Sequence, residues 1–256
     1  NPSYTRIPEI HFMHEARYRG AKLVVIAPDF NATAVHADLW LNVRPESDAA
    51  LGLAAAQVIV SENLYDVEYV REQTDLPILV RQDDQRFLRE ADLVAGGRDD
   101  LFYVWDEATG RIAPVPGCQG DGDGGRSLAL GSLRPALAGH YKVQVAGGAE
   151  VEVRPVFEGL RERLAEYTPE KASLICGVHP DVMRTLARKA ASRRTTLVCG
   201  ATAQKYYNGD LMLRSYLLML ALTGNWGRKG TGASEWSTAG FDGPFVYGMK
   251  QGEGAE

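Results

Sequence analysis

Short apolar runs alternate with longer stretches of helical periodicity along most of the chain. The run from Lys22 to Ala27 is rich in β-branched residues, which is typical of a strand buried on both faces of a parallel sheet. A second short strand is expected from Leu39 to Val43, and the Ala- and Leu-rich stretch from Ala49 to Val60 predicts a buried helix. This alternation predicts the α/β class, and specifically a doubly wound, mostly parallel Rossmann-like sheet.

The middle of the chain has a different pattern. One hairpin is expected around Phe102 to Trp105, and a second joins Tyr141 to Val145 with Val151 to Arg154. We interpret this stretch as an antiparallel hairpin insertion on the α/β body. The chain then divides into an α/β half (1–92), a hairpin-rich insertion (93–154), a second α/β half (155–225) and a Gly-rich segment leading to a neighbouring domain (226–256).

Composition and charge exclude several classes of partner. The 256 residues carry a formal net charge of −5, and no segment concentrates Lys or Arg, so a nucleic-acid partner is not expected. The most apolar windows are far shorter than the roughly 20 residues that cross a bilayer, so direct membrane insertion is not expected either. Three cysteines without a C-x-x-C spacing predict neither a disulfide framework nor a thiolate metal cluster.

Polar side chains that follow predicted strands are the candidates for ligand binding, because open α/β sheets bind ligands beyond the carboxyl ends of their strands. Asp29 follows the first strand, where an acid can accept hydrogen bonds from ribose hydroxyls. Asp48 stands at the expected start of a helix, where a carboxylate can accept from the N1–H and N2–H donors of guanine. The same positions also suit a turn residue and a helix N-cap, so both interpretations stay open here.

Other chemistries find little support in the residues. The G-x-G-x-x-G fingerprint of a nicotinamide dinucleotide site is missing, which disfavours a dehydrogenase. His11 and His14 lack an evident third metal ligand, and the calcium-like stretch at Asp121 has Ser132 where a bidentate Glu is needed. No catalytic acid, base or nucleophile can be assigned from the residues alone. A non-catalytic purine-nucleotide-binding module therefore remains an alternative to an enzyme.

Several strings in sequence order closely resemble one family, the molybdopterin oxidoreductases of the dimethyl sulfoxide reductase type. Together they cover the chain except the insertion. The strings are Asn1-Pro2, Ala27-Pro28-Asp29, Ala37 to Leu41, Arg44-Pro45-Glu46-Ser47-Asp48, Leu64-Tyr65-Asp66, Tyr167-Thr168-Pro169-Glu170 and Leu222 to Gly227. The form Ala27-Pro28-Asp29, the insertion and Lys205-Tyr206-Tyr207 look most like the branch of respiratory nitrate and selenate reductases.

The resemblance implies a molybdenum atom held between two molybdopterin guanine dinucleotides, and oxygen-atom transfer or other two-electron chemistry. It places Asn1 by a pterin dinucleotide, Asp29 and Asn31 by the guanosine ribose, and Ser47 with Asp48 by guanine. The residues that it assigns to the pterin side are Gly200, Thr202, Gln204 and Lys205. Asn225 is the last residue of the implied cofactor set.

The resemblance also implies partners for this chain, which would be an internal part of a catalytic subunit. They are the rest of that subunit with an N-terminal iron–sulfur cluster, an iron–sulfur electron-transfer subunit and a small-molecule substrate. The substrate, the molybdenum ligand and the side of the bacterial or archaeal membrane are left open. One departure is informative: Glu46 stands where the family usually has glycine, beside the implied guanine contact.

Overall fold

The structure is a computed structural model that describes residues 2–5, 7–117, 129–200 and 205–235. Within this part the chain forms two compact units. Unit 1 combines residues 1–56, 168–220 and 225–256, and unit 2 combines residues 57–167 and 221–224. The division into four parts expected from the sequence stays a prediction.

The described residues form nine α-helices, one short 3-10 helix and nine strands. The helices are α1 (Pro2–Thr5), α2 (Ile7–Tyr18), α3 (Asp48–Ser61), α4 (Val67–Gln73), α5 (Glu90–Leu93), α6 (Val156–Leu164), α7 (Pro169–Cys176), α8 (Pro180–Ser192) and α9 (Gly209–Leu222). The strands are β1 (Val24–Ile26), β2 (Leu39–Leu41), β3 (Leu79–Arg81), β4 (Tyr103–Asp106), β5 (Arg111–Pro114), β6 (Tyr141–Gln144), β7 (Glu150–Pro155), β8 (Thr196–Cys199) and β9 (Gly232–Glu235).

The described strands form four small sheets. β1 pairs with β2 and β8 with β9 in parallel, whereas β4–β5 and β3–β7–β6 are antiparallel. The mixed α/β class and both expected hairpins are therefore confirmed. A doubly wound parallel sheet is not confirmed, because the parallel pairs of the described residues are two separate two-stranded ladders. β1 is also half-buried, although its apolar run predicts burial on both faces.

Unit 1 has its core between the β1–β2 pair and three helices. The largest fully buried side chains there include Leu41, Leu51 and Met183, and Ala50 and Ala54 bring α3 close to its neighbours. The small and aliphatic residues of α3 thus explain why the sequence places a buried helix directly after β2. This core fixes the position of the α3 N-terminus.

Local signals set the ends of several unit 1 elements. Thr168 caps α7 by accepting a hydrogen bond from the amide of Lys171, as the Thr-Pro pair predicts. Asp38 anchors the start of β1, since its carboxylate accepts hydrogen bonds from the Leu23 amide and from Lys22 and Arg17. These bonds, the Leu23 amide foremost, lower the pKa of Asp38 to about 2.

Unit 2 has a separate core formed by its antiparallel strands. Leu79, Leu88 and Val153 are fully buried, and Trp105 stacks on Tyr141 with ring centroids 4.1 Å apart. In the part of the chain that the structure describes, no helix combines the length and apolar character needed to cross a membrane.

Candidate functional site

The carboxyl ends of β1 and β2 lie side by side in unit 1. Val24 pairs with Leu39 and Ile26 with Leu41, and the Ala27 amide donates to the carbonyl of Leu41. Because the strands are parallel, the segments that follow them leave the same edge. Asp29 therefore lies in the segment beyond β1, and Asp48 in the segment beyond the neighbouring strand β2.

The loop after β1 is held by side-chain hydrogen bonds. The side-chain oxygen Oδ1 of Asn31 accepts from the amides of Thr33 and Ala34, at 3.0 and 3.2 Å. The Thr33 hydroxyl accepts from the Ser3 amide and donates to the Ser3 hydroxyl, which ties α1 to this loop. Asp29 itself is exposed. Its carboxylate is thus accessible to a ligand, whereas the Asn31 side chain stabilises the loop.

Two aromatic side chains lie beside Asp29. The indole N–H of Trp40 donates to the carbonyl of Ala27 at 3.0 Å, and Phe30 packs edge-on against Trp40 with 5.1 Å between ring centroids. Phe30 is 61% exposed. The edge therefore presents an apolar aromatic surface next to a carboxylate, a combination that suits a sugar or a ring system.

A tight turn connects β2 to α3. The Ser47 hydroxyl donates to the carbonyl of Arg44 at 2.6 Å, so it closes the turn. Glu46 adopts a left-handed backbone with φ of 68°. This conformation favours glycine, because a side chain is strained there. The charged side chain there is exposed.

Asp48 is the first residue of α3 and is partly buried. Burial raises the pKa of its carboxyl group, and a hydrogen bond with its own backbone amide acts weakly in the opposite direction. Among the described residues, no other side chain hydrogen-bonds this carboxyl group. The Asp48 carboxyl group is therefore partly desolvated, and it is free to accept hydrogen bonds from a ligand.

A buried hydroxyl group lies near Asp48. Tyr216 on α9 is 6% exposed, and its hydroxyl has no hydrogen-bond partner among the described residues. The pKa of Tyr216 is raised, foremost by burial and then by the charge of Asp48.

The remaining predicted site residues are distributed as follows. Gly200 follows β8, is exposed, and has open space where a side chain would project. Lys205 is exposed at the turn that precedes α9. Asn1, Thr202 and Gln204 lie outside the described residues. The assignments of all five residues to a cofactor stay predictions.

Asn225 has extensive contacts with the chain itself. Its side-chain oxygen accepts from the Thr195 amide at 2.8 Å, and its side-chain nitrogen donates to the Ala190 carbonyl at 2.9 Å. It is 4% exposed. These contacts connect the end of α8 to the start of β8, so the Asn225 amide group is used within the chain.

Potential metal ligands come together elsewhere. In the described ranges, one group of three is close enough to share an ion: His140, Glu158 and Glu162 of unit 2. Arg161 already pairs with Glu158, and Arg154 with Glu162. Burial raises the pKa of the Cys176 thiol, which keeps it protonated.

Sequence reasoning did not identify Trp40, Phe30 or Tyr216 as parts of this edge. Trp40 lies within the family string Ala37 to Leu41 but was given no role, and Phe30 could be noticed only because it follows a predicted strand. Tyr216 falls in the apolar helical run from Leu211 to Leu222, so its pattern predicts a core residue. Only the packing of α9 near α3 reveals its unpartnered hydroxyl.

Comparison with known proteins shows that this chain is similar to the alpha subunits of several oxidoreductases. The chain is 44% identical to perchlorate reductase subunit alpha of Dechloromonas aromatica, over 92% of this chain and 28% of that protein. It is 41% identical to dimethylsulfide dehydrogenase subunit alpha of Rhodovulum sulfidophilum, over 92% of this chain and 25% of that protein. It is also 36% identical to respiratory nitrate reductase subunit alpha of Haloferax mediterranei, with the same coverage. The chain thus spans about a quarter of the length of these relatives.

One solved structure has a similar fold, and one protein family matches the sequence. Acetylene hydratase from Pelobacter acetylenicus matches with a TM-score of 0.51 and 20% identity, over 88% of this chain and 20% of that one, which shows similarity of fold alone. The sequence pattern of the family described as molybdopterin oxidoreductase matches residues 1–253. The match covers nearly the whole chain, and so this chain belongs to the molybdopterin oxidoreductase family.

Proposed function

We propose that this chain is the part of a reductase catalytic subunit that binds the guanine end of a molybdopterin guanine dinucleotide. One observation supports the proposal most strongly: the partly buried carboxyl group of Asp48, beyond the end of β2, lacks a hydrogen bond from another side chain of the described residues. Partial burial weakens the hydration of this carboxyl group, and a ligand that supplies hydrogen-bond donors offsets that loss.

A guanine base supplies such donors. Its N1–H and N2–H groups can donate to the two oxygens of one ionised carboxylate, and hydrogen bonds to a charged acceptor contribute roughly 1.5–3 kcal/mol. The helix N-terminus favours the ionised form that this pairing requires. Asp48 therefore selects guanine over adenine, because adenine presents an acceptor where guanine has N1–H.

The neighbouring residues suit the rest of a nucleotide. Asp29 is exposed beyond β1, where its carboxylate can accept from ribose hydroxyls. Asn31 and Ser47 shape the two loops around it, and the open space at Gly200 leaves room for the pterin side. We assign Asn1, Thr202, Gln204 and Lys205 to the same ligand on the basis of the family resemblance alone.

The chemistry of the whole enzyme follows from the family. When bound, the molybdenum cofactor supplies oxygen-atom transfer or other two-electron chemistry, with iron–sulfur centres in the rest of the subunit and in a partner subunit carrying electrons. This chain binds and orients the cofactor through its strand-end side chains. We further expect that the β1–β2 and β8–β9 ladders belong to one doubly wound parallel sheet in the complete subunit.

The test is Asp48→Asn in the full-length subunit, with acid-released guanine nucleotide and molybdenum measured per protein. The substitution keeps the volume and removes the charge, so we expect roughly ten- to a hundredfold weaker retention of the cofactor. Asp181→Asn is the matched control, since Asp181 occupies the first turn of α8 but is exposed. Equal guanine and molybdenum content in both variants would contradict the proposal.

A further inference from the structure

The hydroxyl of Tyr216 is an unusual group for a protein interior. It is cut off from solvent, and none of the described residues hydrogen-bonds it. Buried polar groups in folded proteins nearly always have partners, because an unpaired one loses its hydrogen bonds to water without replacement. An unpaired buried hydroxyl therefore points to a hydrogen bond that forms only when a ligand is bound.

The helices that carry Tyr216 and Asp48 are in direct contact. A Cβ atom added at Gly52 of α3 would lie only 2.1 Å from the Ser215 hydroxyl oxygen of α9. Asp48 precedes Gly52 by four residues, so it lies on the same face of α3 one turn nearer the N-terminus. Tyr216 follows Ser215 directly. The glycine thus permits the close approach of α9 to α3, and Tyr216 lies in the turn of α9 that makes this contact.

The charges around Tyr216 fix its role as a donor. Burial, and after it the charge of Asp48, favour its protonated form. A protonated phenol can donate one hydrogen bond, and a carboxylate with two oxygens can accept from more than one donor. Asp48 is the strongest acceptor among the groups whose charge reaches this hydroxyl.

We propose that Tyr216 is a positioning residue that donates its hydrogen bond to the Asp48 carboxylate when a guanine base is bound. This inference rests on the proposed function, because it assumes that the base pairs with the same carboxylate. The carboxylate then accepts hydrogen bonds from two groups, the guanine base and the phenol. The phenol holds the carboxylate in one orientation without itself touching the ligand.

The proposal predicts that removal of the hydroxyl has opposite effects in the two states of the subunit. In the cofactor-free subunit, Tyr216→Phe deletes an unpaired group, so backbone amides of α3 and α9 should exchange hydrogen no faster than in the wild type. In the cofactor-loaded subunit the same change deletes a hydrogen bond. Retention of guanine nucleotide should then fall roughly two- to tenfold. A merely structural hydroxyl would weaken both states alike.

The experiment uses the full-length subunit with Tyr216→Phe, Asp48→Asn, the double variant and the control Tyr141→Phe. Tyr141 also loses one hydroxyl in the control, and its bond is to the Ala138 carbonyl within unit 2. The measurements are guanine nucleotide per subunit, its rate of release, and hydrogen exchange with and without cofactor. We expect the double variant to retain the nucleotide as Asp48→Asn does, because the phenol acts only through that carboxylate.

The outcomes separate this inference from the proposed function. If Asp48→Asn reduces nucleotide retention while Tyr216→Phe behaves like Tyr141→Phe, the proposed function stands and the role of Tyr216 is wrong. Additive losses in the double variant would also overturn it. If Asp48→Asn itself leaves retention unchanged, the proposed function fails first.

Discussion

The contact between α3 and α9 should tolerate no side chain at Gly52. In the Gly52→Ala variant the new Cβ atom would lie 2.1 Å from the Ser215 hydroxyl oxygen and 2.8 Å from its Cβ atom. Carbon atoms in contact are normally about 3.5–4.0 Å apart, so the helices must separate by at least about 0.7 Å at this point. Because Asp48 begins α3, the displacement reaches the candidate site.

The magnitude follows from two opposing effects. Overpacking of a filled core costs about 1–3 kcal/mol, whereas alanine is favoured over glycine in a helix interior by about 1 kcal/mol. Rotation of the Ser215 hydroxyl away from the new methyl group would break its 2.7 Å hydrogen bond to the Met212 carbonyl. We therefore expect a net loss of up to about 2 kcal/mol of local stability.

The assay is hydrogen exchange of the α3 and α9 amides in the full-length subunit, which reports local opening free energies. Gly159→Ala on α6 is the matched control, because its new Cβ would meet nothing closer than 3.5 Å, from an Arg154 side-chain nitrogen. The control should be stabilised, since it gains helix propensity without a clash. Adding Ser215→Gly to Gly52→Ala should recover part of the loss. If Gly52→Ala slowed exchange of the α3 amides as much as Gly159→Ala slows exchange of the α6 amides, the close packing of α3 on α9 would be refuted.

Three further changes have defined outcomes. Glu46→Gly should stabilise the subunit by about 1 kcal/mol in chemical denaturation, because glycine adopts φ of 68° without strain, whereas Glu46→Ala should give no such gain. Asn225→Ala should cost about 1–3 kcal/mol in the same assay, since it removes the acceptor of the Thr195 amide and one donor to the Ala190 carbonyl, and unchanged unfolding would show that these bonds contribute nothing. Asp48 has a raised pKa in the folded chain, so the cofactor-free protein loses stability as pH rises from the unfolded pKa through the folded one. Asp48→Asn should therefore stabilise the cofactor-free protein at neutral pH but not below the unfolded pKa, as a series of melts against pH would show.

Local signals predicted the individual elements well. The Ala- and Leu-rich run predicted α3, the Thr168-Pro169 pair predicted the start of α7, and glycine-containing turns predicted both hairpins. Each of these features depends on residues close together in sequence. The arrangement of strands into four small sheets could not be predicted in the same way, because strand pairing depends on contacts between distant residues.

The same distinction applies to the candidate site. Asp29 and Asp48 could be selected because they follow strands, and the parallel β1–β2 pair brings them to one edge. Tyr216 could not be selected, because its importance comes from the close contact of α9 with α3 at Gly52. Asn225 was chosen for its place in a family string, but its amide group is engaged with the chain.

The central claim is that Asp48 binds a guanine base at the edge formed by β1 and β2. The most direct measurement is an electron cryo-microscopy structure of the cofactor-loaded full-length subunit. We predict that the base lies within hydrogen-bonding distance of the Asp48 carboxylate, with its N1–H and N2–H edge facing that group. A guanine bound away from the start of α3, or an Asp48 carboxyl group facing only protein, would contradict the claim.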